Sequence, residues 1–365
     1  MKTLNINLGV TEYPVIIDSG MLDDFDKMFN YIGQNKPLYF IVDSFIERNY
    51  QFRAASRKYN FSVYVLDGGK NNKNFNSAMK IFQDLDDKNI SRDVAIVAVG
   101  GGVVGDLSGF IASCWYRGVE LISIPTTLLS AVDSCLGGKT AINFRNTVNA
   151  IGSYHHPKMI LIDTKVINSL PKREISSGYG EIIKYGMIGS EGIREKLMQL
   201  NVDCTTDLEE LICLSLKQKE AYVCGDVSEQ SNRLFLNFGH TIGHAIEFST
   251  VYEGEEVLRH GEGVALGMLA IFRICIHLEY LNEEDISTLR AIIEKLGLPV
   301  AFSASSIGMS RDALIDSITS LAFKDKKRTS KNLRLVILDK IGSPTLYETK
   351  DEELIKLGVA EVITE

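Results

Sequence analysis

The sequence has no excess of basic residues: 39 lysines and arginines stand against 47 aspartates and glutamates, for a net charge of −8 and a pI near 5.4. Binding to a phosphate backbone needs a basic surface, so nucleic acid is excluded as a general partner, and an anionic small molecule would have to be met by a local basic pocket. Long hydrophobic runs are missing too. No stretch reaches the roughly 18 apolar residues of a membrane span, and MKTLNINLGV at the N-terminus lacks an apolar core of signal-peptide length. The six cysteines (Cys114, Cys135, Cys204, Cys213, Cys224 and Cys275) have no CxxC spacing. This argues against a zinc knuckle or a disulfide framework and fits reduced thiols. A cytoplasmic protein with no membrane association is expected. Low-complexity tracts, internal repeats and flexible linkers are also absent, so disorder is not expected.

What is present is a balanced globular composition of 365 residues, 45% hydrophobic and 24% charged, with a mean hydropathy of +0.03. That length exceeds what one hydrophobic core usually supports, so two domains are expected. Short β-rich runs (Val15–Asp18, Leu38–Asp43, Val63–Asp67, the run from Val94, and those opening at Leu121 and Met159) alternate with helical spacing such as Asn76–Lys88. Alternation of this kind predicts βαβ units and a mostly parallel sheet. After Pro171 amphipathic stretches follow one another: Glu181–Gly189, Gly192–Leu200, Leu208–Val223, Gly239–Phe248, Gly263–Leu281 and Glu284–Leu296, with Leu333 opening one strand-like run. The predicted architecture is an α/β N-terminal Rossmann-like domain over residues 1–171, followed by a mainly α-helical domain over 172–365.

The apolar run ending at Val99 leads directly into GGGVVGD, which matches G-x-G-x-x-G at Gly100, Gly102 and Gly105. Glycines there permit a tight turn and let backbone amides approach a pyrophosphate at the N-terminus of the next helix. A glycine-rich turn before a packed helix fits the same residues, and the match lies about a hundred residues into the chain. Asp43, at the end of an earlier strand, is placed as a ribose-binding carboxylate or equally as a helix N-cap.

NFGHTIGHAIE, running from Asn237 to Glu247, holds two of the six histidines, His240 and His244, and His260 follows in RHGEG. On a helix, a spacing of four puts both imidazoles on one face. Such a face suits a metal or acid/base site, and it also suits a helix with two hydrogen-bonded histidines. Glu181 and Lys184 in GYGEIIKYG are three apart, as in an ordinary helical ion pair. A carboxylate joined to two histidines would make a catalytic zinc set with a position open to substrate. Arg117, Asp133, Lys139 and Asn149 lie among small residues that offer long side chains little apolar surface, a setting that suits a cleft as well as a solvated surface.

The order and spacing of GGGVVGD, YRGV, PTTLLSAVDSCLGGKTAIN, GEIIKYG, NFGHTIGHAIE, HGEGVALGM and DKK, from about Asp93 to Lys327, resemble the 3-dehydroquinate synthases. The resemblance implies NAD and a divalent metal, Zn2+ or Co2+. It implies cyclisation of 3-deoxy-D-arabino-heptulosonate 7-phosphate with loss of phosphate. The alcohol at carbon 5 is oxidised to acidify the neighbouring proton, then restored by the same NADH, before ring opening and an intramolecular aldol step. The metal ligands it implies are Glu181, His240 and His260. His244 falls at a position beside the substrate phosphate that assists proton transfer. Lys139, Asn149, Lys184 and Asn237 match catalytic positions, and Arg117, Asp133, Lys219, Arg233 and Lys326 match substrate-pocket positions. Asp43, Lys73, Gly101, Gly102, Asp106, Thr126 and Thr127 match cofactor contacts, to which the fingerprint adds Gly105. Because Arg233 matches a residue that reaches the neighbouring subunit's site, a homodimer is implied.

Three departures stand out. Thr147 and Val148 occupy the family's Gly and Lys positions before Ile151–Gly152, Lys70 replaces a glutamate near the nucleotide, and YEGEEVLRH is a few residues longer than usual. They keep other sugar-phosphate cyclases in view, of the 2-deoxy-scyllo-inosose and valiolone synthase types. Asn237, Gly138–Lys139 and His244 favour dehydroquinate. A metal-dependent polyol dehydrogenase, which would release NADH, and a non-enzymatic NAD-binding module are the readings from other classes.

Overall fold

A computed structural model of the chain describes residues 1–33, 35–145, 147–200, 207–324 and 332–365. The chain forms two compact units, one of Met1–Leu170 with Val223–Ser228 and the other of Pro171–Tyr222 with Glu229–Glu365.

The strands of the first unit are β1 (Lys2–Asn7), β2 (Glu12–Asp18), β3 (Leu38–Asp43), β4 (Ser62–Leu66), β5 (Ala95–Gly100), β6 (Glu120–Pro125), β7 (Lys139–Phe144), β8 (Thr147–Tyr154) and β9 (Met159–Asp163). Seven of them make one sheet in the order β1-β2-β9-β6-β5-β3-β4, antiparallel only between β1 and β2. All six residues of β5 are buried, as a central parallel strand covered on both faces requires. The two faces read directly off the alternation of β3. Tyr39 and Ile41 join Ile96, Leu107 and Ile111 on one side, while Phe40 and Val42 join Val97, Phe29 and Phe52 on the other.

Strand β3 leads to β4 on one side and β5 leads to β6 on the other, so the strand order reverses between the two, where Val42 pairs with Val99. Asp43 and the Gly100–Gly102 turn stand at the carboxyl ends of these strands, the place where open α/β sheets bind ligands. The hairpin β7–β8 was not read from the sequence, since every residue of Thr147–Ala150 is exposed and gives no apolar signal. Strand β1 was also passed over, although Leu4, Ile6 and Leu8 alternate with polar residues.

The second unit is helical, with short strand pairs at Leu333–Lys340/Ser343–Thr349 and Phe302–Ser303/Ile363–Thr364. Its central helix, His260–His277, is buried from Gly261 to Phe272, as expected for a helix apolar on every side. The helix Lys172–Ile188 begins well before the run expected from Glu181, because Gly178 and Gly180 read as breakers, although at Gly180 the absence of a side chain serves close packing. A Cβ on Gly261 would lie 1.8 Å from the Ser177 carbonyl oxygen, and one on Gly267 would lie 2.0 Å from that of Gly239. Glycine therefore lets the helices Lys172–Ile188 and His240–Ser249 approach the central helix at backbone contact. That closeness brings short side chains from three helices to one point. Among the described residues no helix is long and apolar enough to cross a membrane.

Candidate metal centre and dinucleotide turn

His240 is the first residue of its helix, and the turn before it is fixed by Gly239, whose φ of 76° is left-handed. A side chain there would be strained and would also strike Met268 Cγ at 2.7 Å. His260 opens the central helix, whose first turn is held by Glu262. The Glu262 carboxylate accepts from the Arg259 amide at 2.8 Å and from Arg173 Nε and Nη2 at 2.6 and 2.7 Å. This bidentate clamp ties the start of the His260 helix to the Lys172–Ile188 helix, which carries Glu181.

The three side chains converge. Glu181 Oε1 lies 3.2 Å from His240 Nε2 and 3.2 Å from His260 Nε2. The opposite ring nitrogens face acceptors: His240 Nδ1 is 3.0 Å from the Phe238 carbonyl oxygen and His260 Nδ1 is 3.1 Å from Glu247 Oε1. With Nδ1 protonated, the neutral form of each ring would turn an Nε2 lone pair toward the carboxylate oxygen. Such a set of acceptors calls for a cation between them, a metal ion or, without one, the proton that raised His260 holds. A tetrahedral ion with bonds of about 2.0–2.1 Å sets its donors about 3.3 Å apart, close to the observed 3.2 Å. The residues present therefore fit a zinc-like ion. The donor atoms of His240, His244 and His260 also lie within 4.8 Å of one another, while Glu181 Oε1 is 3.2 Å from two of those three rings.

Electrostatics follow from burial. Burial alone would raise the Glu181 carboxyl; the Lys184 ammonium and the imidazoles of His240 and His260 outweigh it and hold it well below the usual range. Burial, reinforced by His240 and His260, pushes His244 down to about 3, so this imidazole is neutral. At His260 burial is overcome by hydrogen bonds to Glu181 and Glu247, which raise it to about 10. Lys184, Lys219 and Arg233 are 1%, 5% and 2% exposed, a concentration of buried cations in a unit of an acidic protein. Asn237 donates to Glu229 Oε1 at 2.9 Å and to the Leu234 carbonyl at 3.2 Å. Arg233, expected to reach a neighbouring subunit's site, is buried within its own chain.

In the first unit, Gly101 precedes the Gly102–Cys114 helix, whose N-terminus has no side-chain cap and no acidic residue in its first turn. A Cβ on Gly105 would meet nothing within 4 Å, whereas one on Gly101 would sit 3.1 Å from Thr127 Cγ2. Uncapped amides beside open space fit a pyrophosphate. Gly101, Gly105, Asp106 and Lys139 line one cavity. Lys73, 8% exposed, pairs with Asp106 and hydrogen-bonds Asn149 Oδ1, so three expected residues meet there. Thr126 donates its amide to the Gly100 carbonyl, and Thr127 pairs with Ser130. Asp133 lies in a single π-helical turn, Ser130–Ser134, a device often found at functional sites.

Asp43 Oδ1 accepts from the Phe45 amide at 2.8 Å and so caps the next helix, while Oδ2 lies 3.0 Å from where a Cβ on Gly68 would be. Arg117 is exposed, in a turn where both it and Tyr116 have positive φ. Lys326 lies outside the described residues. Reading the sequence missed Glu247, Glu262 and Arg173. Glu247 was legible, being seven residues after His240 and so on the same helix face.

Residues 63–177 match the family model described as 3-dehydroquinate synthase N-terminal, and residues 178–328 that described as 3-dehydroquinate synthase C-terminal. The chain is 34% identical to a 3-dehydroquinate synthase of Thermoanaerobacter pseudethanolicus, over 98% of this chain and 99% of that one. It is 35% identical to one of Methylococcus capsulatus over 98% of each. Among solved structures, 2-deoxy-scyllo-inosose synthase complexed with carbaglucose-6-phosphate, NAD+ and Co2+ aligns with a TM-score of 0.84 at 26% identity, over 99% of this chain and 100% of that one. The 2-epi-5-epi-valiolone synthase from Streptomyces hygroscopicus subsp. jinggangensis 5008, with NAD+ and Zn2+ bound, has a TM-score of 0.83 at 20% identity over 96% of each chain and shares the fold.

Proposed function

We propose that this chain, which belongs to the 3-dehydroquinate synthase family, cyclises 3-deoxy-D-arabino-heptulosonate 7-phosphate to 3-dehydroquinate with release of phosphate, as a step of aromatic amino-acid biosynthesis. It works as an NAD- and metal-dependent lyase. The single observation that best supports this is the meeting of two imidazole Nε2 atoms and one carboxylate oxygen in a unit rich in buried cations.

Glu181, His240 and His260 would hold the ion, and residues 172–365 would form the metal and substrate domain. Residues 1–171 would bind NAD through the turn Gly101–Gly102–Gly105, Asp106, Lys73, Asp43, Thr126 and Thr127. When bound, the ion supplies Lewis acidity and a template for the substrate's hydroxyls, and the dinucleotide takes and returns a hydride. Lys184, Lys219, Arg233 and Arg117, with Lys139 and Lys326, would orient carboxylate and phosphate. His244 would assist proton transfer beside the substrate phosphate, and Asn149, Asp133 and Asn237 would position hydroxyls. We also propose a cytoplasmic homodimer.

Related cyclases acting on other sugar phosphates are the second reading, supported by the aligned 2-deoxy-scyllo-inosose synthase and by Val148, which is 51% exposed where the family has a lysine. To decide, purified protein is incubated with the heptulosonate phosphate, NAD and zinc while phosphate and the carbocycle are followed by NMR. Both products are expected without net NADH. Absence of phosphate release would overturn the reading, and accumulating NADH would point to a dehydrogenase.

A further inference from the structure

The His260 imidazole has a carboxylate at each nitrogen. Nε2 faces Glu181 and Nδ1 lies 3.1 Å from Glu247 Oε1. Glu247 belongs to the helix of His240, two turns further on, and its side chain is 12% exposed. Its path to His260 runs across Gly263. A Cβ on Gly263 would lie 2.5 Å from Glu247 Cγ and 2.9 Å from its Oε1. Only a residue without a side chain at 263 leaves the arm of Glu247 its course.

We propose that Glu247 is a positioning residue for the metal centre: laid over Gly263, it takes the Nδ1 proton of His260 in a hydrogen bond, fixes the ring's rotation and tautomer, and so aims the Nε2 lone pair at the ion. A carboxylate behind a ligating imidazole also raises the basicity of the ligand. His240 differs, because the acceptor behind it is the neutral Phe238 carbonyl. The two histidines are therefore held unequally, and His260 depends on a side chain that substitution can remove. A competing assignment makes Glu247 no more than a stabilising ion pair.

This inference rests on the metal reading above, and the test separates the two. Cobalt affinity is measured by chelator competition, together with the visible spectrum of bound cobalt, for the full-length wild type, Glu247→Ala, Glu247→Gln and Gly263→Ala. Denaturant midpoints in chelator report folding separately. Wild type is expected to bind one cobalt per chain, and Glu247→Ala to bind it about 10–100-fold more weakly with an altered spectrum. Glu247→Gln should lose less, since its amide oxygen still accepts the Nδ1 proton. Gly263→Ala should resemble Glu247→Ala with every charge retained. If Glu247→Ala and Glu247→Gln bind cobalt as tightly as wild type, the positioning role is refuted while the metal reading survives. A wild type that binds no cobalt would overturn both.

Discussion

Lys184 Nζ lies 2.5 Å from Glu181 Oε2, one helical turn away, with both side chains sealed from solvent. The two oxygens of Glu181 thus have separate duties, Oε2 toward the lysine and Oε1 toward the imidazoles. Lys184→Met removes the cation and leaves a buried carboxylate without its main counter-charge. A loss of about 3–5 kcal/mol is expected in urea unfolding of the metal-free protein. Added zinc should restore part of it by supplying positive charge to Glu181. A mutant as stable as wild type without metal would show that the pair contributes nothing.

His240 and His244 share a helix, with ring centroids 5.3 Å apart, yet are assigned different work. His244→Ala is expected to keep one zinc per chain and to lower kcat by about 100-fold or more, the usual scale of a lost acid/base group. His240→Ala and Glu181→Gln should lose the metal. Metal analysis by plasma emission separates them, and loss of zinc from His244→Ala would instead place that histidine among the ligands.

Removing the metal from wild type should abolish turnover, and zinc or cobalt should restore it. Phosphate release after dialysis against a strong chelator is the measurement. Undiminished activity in protein shown to be metal-free would eliminate the catalytic ion.

His244 and His260 predict how metal-free protein responds to pH. Both titrate near 6.5 when unfolded, while in the folded chain His244 lies at about 3 and His260 at about 10. Below pH 6.5 the unfolded chain takes up a proton that folded His244 refuses, so stability falls with acid, and protonation of Glu181 adds to the loss. Above pH 6.5 the unfolded chain releases a proton that folded His260 keeps, so stability falls again toward pH 10. Denaturant midpoints should peak near pH 6.5, and His260→Asn should flatten the alkaline limb. An alkaline limb equally steep in that mutant would contradict the assignment.

Helix contact is testable at two glycines. Gly261→Ala would force a Cβ to 1.8 Å from the Ser177 oxygen, and a loss of about 3 kcal/mol or more is expected together with weakened zinc binding. Gly192, within the Glu191–Gln199 helix, has nothing within 4 Å of a built Cβ, so Gly192→Ala should be neutral or stabilise by up to about 1 kcal/mol. Thermal melts of the two variants decide it.

The sequence was legible where one physical signal dominated. Leu38–Val42 is apolar throughout because both faces of β3 are covered, and Leu208–Val223 keeps helical spacing along its length. Signals failed where residues were chosen for their neighbours. Gly180 lowers helix propensity but sits in a helix because the backbone of the central helix at Gly261 passes so close. The exposed strand β8 has no buried face to imprint a pattern, and its Asn149 adopts a left-handed φ of 54°. At the site, His240 and His244 looked equivalent by spacing, and only the direction of Nε2 toward Glu181 separates them. The grip of Arg173 on Glu262 joins residues 89 positions apart, beyond any local reading.

The six residues Val223–Ser228 belong to the first unit although the chain has by then built Pro171–Tyr222 of the second. Gly225 donates its amide to the Leu8 carbonyl at 3.4 Å. On the ribosome, where domains ordinarily fold in the order they emerge, the first unit has all its parts only after Ser228 has been made. A nascent chain stalled just after Leu170 would hold an unfinished unit, and one released past Ser228 would hold a finished one.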